Sequence, residues 1–191
     1  KSVSQAGQLE NPDARVALDI TNTSVLLQSR AAGIHGLGTK DSLMFIRNFW
    51  EMKLNHDWEF MQSSTQTGAI WSGMESIVWW ENSCGELHRR AANGMAVLAG
   101  GLAHGKPGVL VSQVRGLQAC LYFGGLFEKN AAVISFADEK LLSPIWTFCI
   151  SEEYRTAVKS IDQKLAVTNK TLVKVPFILE HWTKVAAEKY P

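Results

Sequence analysis

Residues 155–182 read RTAVKSIDQKLAVTNKTLVKVPFILEHW, and the order of signals in this stretch decides the fold class. Just upstream and into it, Trp146, Cys149, Ile150, Tyr154, Ala157, Val158 and Ile161 recur at helical spacing. Pro144 falls in the first turn of that run, where a missing backbone N–H is harmless. The spacing predicts one long helix over Leu141–Ile161. A basic polar loop follows, then a short strand over Leu172–Val175 closed by Pro176, then a last helix over His181–Glu188. Strands interrupted by helices without a βαβ rhythm point to an α+β fold. The expected architecture is a mixed, mainly antiparallel sheet with a long helix near the C-terminus.

Toward the N-terminus, Val109–Val114, Ala119–Phe123 and Ala131–Phe136 predict strands, with Asn130 as the turn residue before the third. Trp58–Met61 and Ser76–Trp80 predict two more, joined by the Ser/Thr/Gly-rich connector SSTQTGAIWSG. Gly85–Ala92 suits a short helix, Ala96–Gly108 a glycine-rich loop, and Asp138–Lys140 a turn before the long helix. Around Leu43–Arg47 two readings compete. Asp41 or Ser42 suits the cap of a short helix, whereas Phe45, Arg47 and Phe49 alternate as in a strand; the strand, ending near Glu51, is favoured. Gly33–Gly38 (GIHGLG) breaks the preceding pattern, Ala14–Ala32, which fits strand or helix. Residues 1–13 read as a lead-in or linker segment and 14–191 as one domain.

Composition sets bounds on function. With 46% hydrophobic and 19% charged residues in 191, the chain carries enough apolar surface for a core. The net charge of +1 does not announce a nucleic-acid partner. The charge is uneven, however: residues 106–191 hold 11 Lys/Arg against 8 Asp/Glu, and residues 1–105 hold 8 against 10. That asymmetry permits a basic face on the C-terminal half. Cys84, Cys120 and Cys149, odd in number and without CxxC spacing, read as reduced thiols of a cytoplasmic protein. No apolar run reaches membrane-spanning length. A start at Lys1 and a stop at Pro191 read as a fragment of something longer.

No catalytic motif is recognisable. The glycine-rich turn that binds S-adenosylmethionine is missing, and so is the Asn/Asp-Pro-Pro-aromatic loop of amino-methylating enzymes; Asn11-Pro12-Asp13 lacks the second Pro and the aromatic. No Walker, GxSxG, HExxH or EF-hand pattern occurs. Cys84 and His88 stand four apart, as metal ligands can, but no second pair accompanies them.

Three blocks carry a resemblance. The first is GLGTKDSLMFIRNFWE at 36–51, in which Thr39, Asp41, Phe45, Arg47, Phe49, Trp50 and Glu51 fit a family pattern; Lys40 stands where that family usually has Gly and Met44 where it often has Arg. The second joins IVWWENSCGELHR to KPGVLVSQVRGLQACLYFGGLFEKNAAVI. The third is SPIWTFCISEEYRTAVKSIDQKLAVTNKTLVKVPF. In order and spacing they resemble the C-terminal, TaqI-like target-recognition region of bacterial restriction-modification adenine DNA methyltransferases. The resemblance implies a domain that clamps double-stranded DNA against the methyltransferase catalytic domain of the same parent chain. The cofactor S-adenosylmethionine belongs to that parent, with or without a fused nuclease, and none is expected in this chain.

Reading DNA needs Lys and Arg on phosphates and Asn, Gln, Arg or Lys at base edges. The candidates this selects are Thr39, Lys40, Lys106, Ser112, Gln113, Arg115, Lys164, Thr168, Asn169 and Lys170. Each also has a bland reading: Thr168 and Asn169 as a local turn, Arg115 as the partner of a carboxylate such as Glu81, Asp41 as a cap, Arg47 as structural. Arg89-Arg90 suits phosphate or simple solvation, and Trp79-Trp80 an aromatic platform or core. Two rival functions stand beside recognition: a protein-interaction or structural module of a phage-defence complex, and an enzyme whose site follows no known motif.

Overall fold

The runs GVLVS and AAVISF are apolar at consecutive positions, so a strand made from either must bury both faces. The computed structural model, which describes residues 25–64, 69–114 and 116–190, places them at the centre of a sheet. That sheet has the order β1 (Ala31–His35), β8 (Ala131–Phe136), β5 (Gly108–Ser112), β6 (Ala119–Tyr122), all antiparallel. Val109, Val111, Ala132 and Ile134 face one core, which is closed by helices. Leu110, Ala131 and Val133 face the other, with Cys120, Tyr122 and Phe127.

A second sheet has the order β2 (Ile46–Asn48), β4 (Ser76–Trp79), β3 (Trp58–Gln62), β7 (Leu126–Phe127). Only β3 and β7 run parallel. Its core gathers Phe45, Met61, Val78 and Leu87, the last on helix α2 (Glu86–Ala92). The fold is α+β as expected, but the strands divide into two sheets where one was predicted. Residues 1–13 and most of the Ala14–Ala32 pattern lie outside the described residues.

Four local expectations are corrected. The glycine-rich break contains the end of β1, because Gly33, Ile34 and His35 pair with Ile134, Val133 and Ala132 of β8. The favoured strand up to Glu51 is composite. Asp41 accepts the Met44 N–H at 3.1 Å and opens a one-turn helix, α1 (Ser42–Phe45); β2 follows, and Phe49–Glu51 is a 3-10 turn. The long helix is two: α3 (Leu142–Cys149) and α4 (Glu152–Ile161). Ser151 separates them by accepting the Tyr154 N–H on Oγ at 3.1 Å, with Glu152 and Glu153 in the new first turn. The strand at 172–175 is a 3-10 turn, Thr171–Val173. Its apolar residues are buried, yet only Val175–Phe177 runs extended, where Leu27 N donates to Val175 O and Phe177 N to Val25 O, both at 2.9 Å.

The break at Ser151 is testable. Ser151→Ala is expected to lower stability by about 1 kcal/mol, read as a lower urea midpoint. An unchanged midpoint would assign the break to packing alone. The last helix, α5 (Leu179–Lys189), packs on α3 through Trp182 and through a 3.0 Å bond from Trp146 Nε1 to the Tyr190 hydroxyl.

Candidate functional site

Antiparallel pairing puts the end of β1, the end of β5 and the start of β8 at one end of the first sheet: His35 lies opposite Ala132, and Ser112 opposite Ala131. Loops leave from there, the loop at 162–170 after α4 joins them, and backbone bonds stitch them together. Lys129 N donates to Leu37 O at 2.8 Å, Gln113 N to Asn130 O at 2.9 Å, and Val167 N to Gln113 O at 2.9 Å. Gln113 Nε2 donates to Val167 O at 2.7 Å, and Asn169 Nδ2 to Gly33 O at 2.5 Å. The loops at 36–41, 128–130 and 162–170 are therefore held in one arrangement although they are far apart in sequence.

Between them run two recesses. One, of about 290 Å³, is lined by His35, Val114, Thr168 and Asn169; the other, of about 270 Å³, by Thr39, Lys40, Asp41 and Ser42. Lys129 and Asn130 line both, so the two recesses meet in one groove. Lys40, Lys129, Lys164 and Lys170 are exposed on the loops that form it. The carboxylates nearby are already engaged. Asp41 pairs with Arg90 at 3.3 Å, and Glu128 accepts from the Ser64 N–H and hydroxyl at 2.8 Å each. Among the described residues Asp41 is the one of these carboxylates in an ion pair; Glu128 and Asp162 keep their charges against Lys40, Lys129, Lys164 and Lys170, which leaves the loops with an excess of positive charge.

The ten residues singled out in the sequence divide as follows. Lys40, Thr168 and Asn169 come together at the groove, and Lys164 and Lys170 lie on the same loop as the latter two. Lys40 has φ 57° and donates to Gly94 O at 2.8 Å, so the turn keeps a left-handed conformation with a lysine in place of glycine. Thr168 accepts the Thr171 N–H and bonds the Thr171 hydroxyl at 2.9 Å, the local turn foreseen as the bland reading. Thr39, Ser112 and Gln113 are buried, although Thr39 and Gln113 still line the recesses. Ser112 Oγ donates to Val114 O at 2.7 Å and Gln113 to Val167 O; both hold the loops rather than face outward. Lys106 is exposed but precedes β5, at the opposite end of the sheet from Gln113, and shares a shallow recess with Arg30. Arg115 lies outside the described residues.

The groove also holds three residues that the sequence did not single out for binding: His35, Lys129 and Asn130. Asn130 was visible as a turn residue before a strong strand, and Lys129 beside it was the available signal. Arg47 bonds the carbonyls of Leu43 and Ile46 and is structural. Arg89 and Arg90 pair with Glu86, which these two guanidiniums hold below the usual carboxylate range. Burial pushes the Cys149 thiol far up and raises that of Cys120, so neither is a ready nucleophile. Among the described residues no three His, Cys, Asp or Glu side chains gather as a metal set, and no helix is long and apolar enough to cross a membrane.

No known protein-family model matches this chain, and no curated protein matches it.

Proposed function

We propose that this chain is the sequence-reading domain of an S-adenosylmethionine-dependent adenine DNA methyltransferase from a bacterial restriction-modification system, with the catalytic domain supplied by the rest of the parent. The observation that carries the reading is the groove. Lys40 and Lys129 line it with the amides of Asn130 and Asn169 and the hydroxyl of Thr168, Lys164 and Lys170 are exposed on the adjoining loop, and Asp41 is already paired with Arg90. Cations that set register on phosphates, placed around a few groups able to bond base edges, are what duplex recognition requires. Half the clamp belongs to the missing domain, so binding by this chain alone is weak.

Fluorescence anisotropy with random duplex DNA across a salt series tests the proposal. Four lysines on phosphates give a slope of log affinity against log salt of about −3.6. Lys164→Ala, Lys170→Ala and Lys129→Ala should each weaken binding and flatten that slope by about 1, with the fold intact by circular dichroism. Salt-independent binding, or lysine variants that bind as well as the parent sequence, would defeat the reading.

One observation favours the alternative of a protein-interaction module in a phage-defence complex. Trp71 and Phe123 stack at 4.5 Å yet stay 64% and 47% exposed. Exposed apolar surface of this kind is characteristic of protein contacts. Under that reading Trp71→Ala removes a partner and leaves DNA binding unchanged.

A further inference from the structure

A cavity of about 420 Å³ lies beside β7 and the 98–104 loop and shares no lining residue with the groove. Its size falls in the range of small-ligand pockets, about 300–1,000 Å³. Two aromatic rings, Trp80 and Phe127, form part of its wall. His88 meets Trp80 edge-on, with ring centroids 4.4 Å apart. Its Nδ1 is enclosed without a hydrogen-bond partner. Glu59 and His104, also in the wall, are exposed and form no ion pair or hydrogen bond through their side chains among the described residues.

We propose that this cavity binds a planar heteroaromatic amine, in chemical terms a nucleobase. The half-buried Trp80 indole offers an aromatic surface for stacking, which tolerates any base, while Phe127, 1% exposed, contributes only apolar wall. The Glu59 carboxylate accepts from an exocyclic amino group or a ring N–H, and the two imidazoles meet ring nitrogens or a carbonyl. Other ligand classes fit less well. No Lys or Arg lines the cavity to hold a phosphate, and its side chains supply no metal set. A purely apolar ligand would leave the enclosed His88 Nδ1 still without a partner. The same base could arrive as a free nucleoside or as a base turned out of a DNA strand.

The test uses 2-aminopurine, whose emission falls when it stacks on an aromatic ring. The free riboside, a single-stranded oligonucleotide carrying one 2-aminopurine, and a duplex with that base opposite an abasic site are each titrated with the chain. Saturable quenching of the riboside assigns a free ligand, and quenching of the oligonucleotides alone assigns a DNA-borne base; either supports the site. Gly101→Leu adds a side chain where a Cβ meets no atom within 4 Å, so it fills space at the cavity wall without a backbone clash. It should weaken quenching at least about tenfold, and His104→Ala, at an exposed residue, should weaken it too. Lys184→Ala, at an exposed residue of α5 that lines neither the cavity nor the groove, should leave it unchanged. No saturable quenching in any arm, or equal quenching by Gly101→Leu, overturns the proposal.

Discussion

Phe148→Ala is expected to lower the unfolding free energy by about 3–5 kcal/mol, the largest loss for any single truncation proposed for this chain. Phe148 is fully buried on α3, and its ring meets three others: Tyr154 at 5.1 Å, Phe177 at 5.3 Å and Trp182 at 5.0 Å. Those rings come from α4, from the extended segment after the Thr171–Val173 turn, and from α5. One side chain therefore joins α3 to α4, to the extended segment and to α5. The wall around it is itself fixed, because the Tyr154 hydroxyl donates to Leu172 O at 3.1 Å inside the core. A cavity left by alanine cannot collapse without breaking that bond, which pushes the cost toward the upper end of the range. Thermal melts should show a midpoint lower by roughly 10 °C. A shift of only one or two degrees would mean that the cluster repacks and that the four rings are not a unit.

Gly36→Ala is the second large effect, and its cause is backbone contact. An added Cβ would lie 2.3 Å from Glu128 O, 2.6 Å from Glu128 C and 2.7 Å from Phe127 O. These are main-chain atoms that cannot rotate away, so the two loops must part. The expected loss is about 2–3 kcal/mol, with melts as the measurement. Gly125→Ala serves as the control, since a Cβ there meets nothing within 4 Å and its φ is not in the left-handed region; its effect should stay within about 0.5 kcal/mol. Equal melting of the two variants would show that the close approach at Gly36 relaxes without cost. Under the proposed function Gly36→Ala also weakens DNA binding, because parting those loops moves Lys129, whose N–H is bonded to Leu37 O.

The sequence was most legible where one physical signal acted alone. The apolar runs at 108–112 and 131–136 had no rival to a strand, and both are central strands. It was least legible where two signals overlapped. Helical spacing ran unbroken from Trp146 to Ile161, but Ser151-Glu152-Glu153 is a helix start written inside it, and the start prevailed. At Leu172–Val175 the apolar content was real and the extended conformation was not; burial in a tight turn demands the same residue types as burial in a strand. Glycines at 33 and 36 read as a break, whereas they are there so that other backbones can approach, a reason that no local pattern displays. The candidate site divided in the same way. Lys40, Thr168 and Asn169 stood out as polar residues in turns and do line the groove. Ser112 and Gln113 had the same polarity, but their partners, Val114 O and Val167 O, took them inside.

The contact between Gly33 and Asn169 spans 136 residues. β1 ends its sheet, with β8 on one side only, so its other flank would present unpaired peptide groups to any passing chain. The Thr168–Val173 segment covers that flank, and Asn169 caps its Gly33 carbonyl. During synthesis β1 leaves the ribosome 136 residues ahead of its cover. At about 5–20 residues per second the growing chain carries an open strand border for roughly 7 to 30 seconds. The time for which that border stays open is thus set by the distance along the chain between the strand and the segment that seals it.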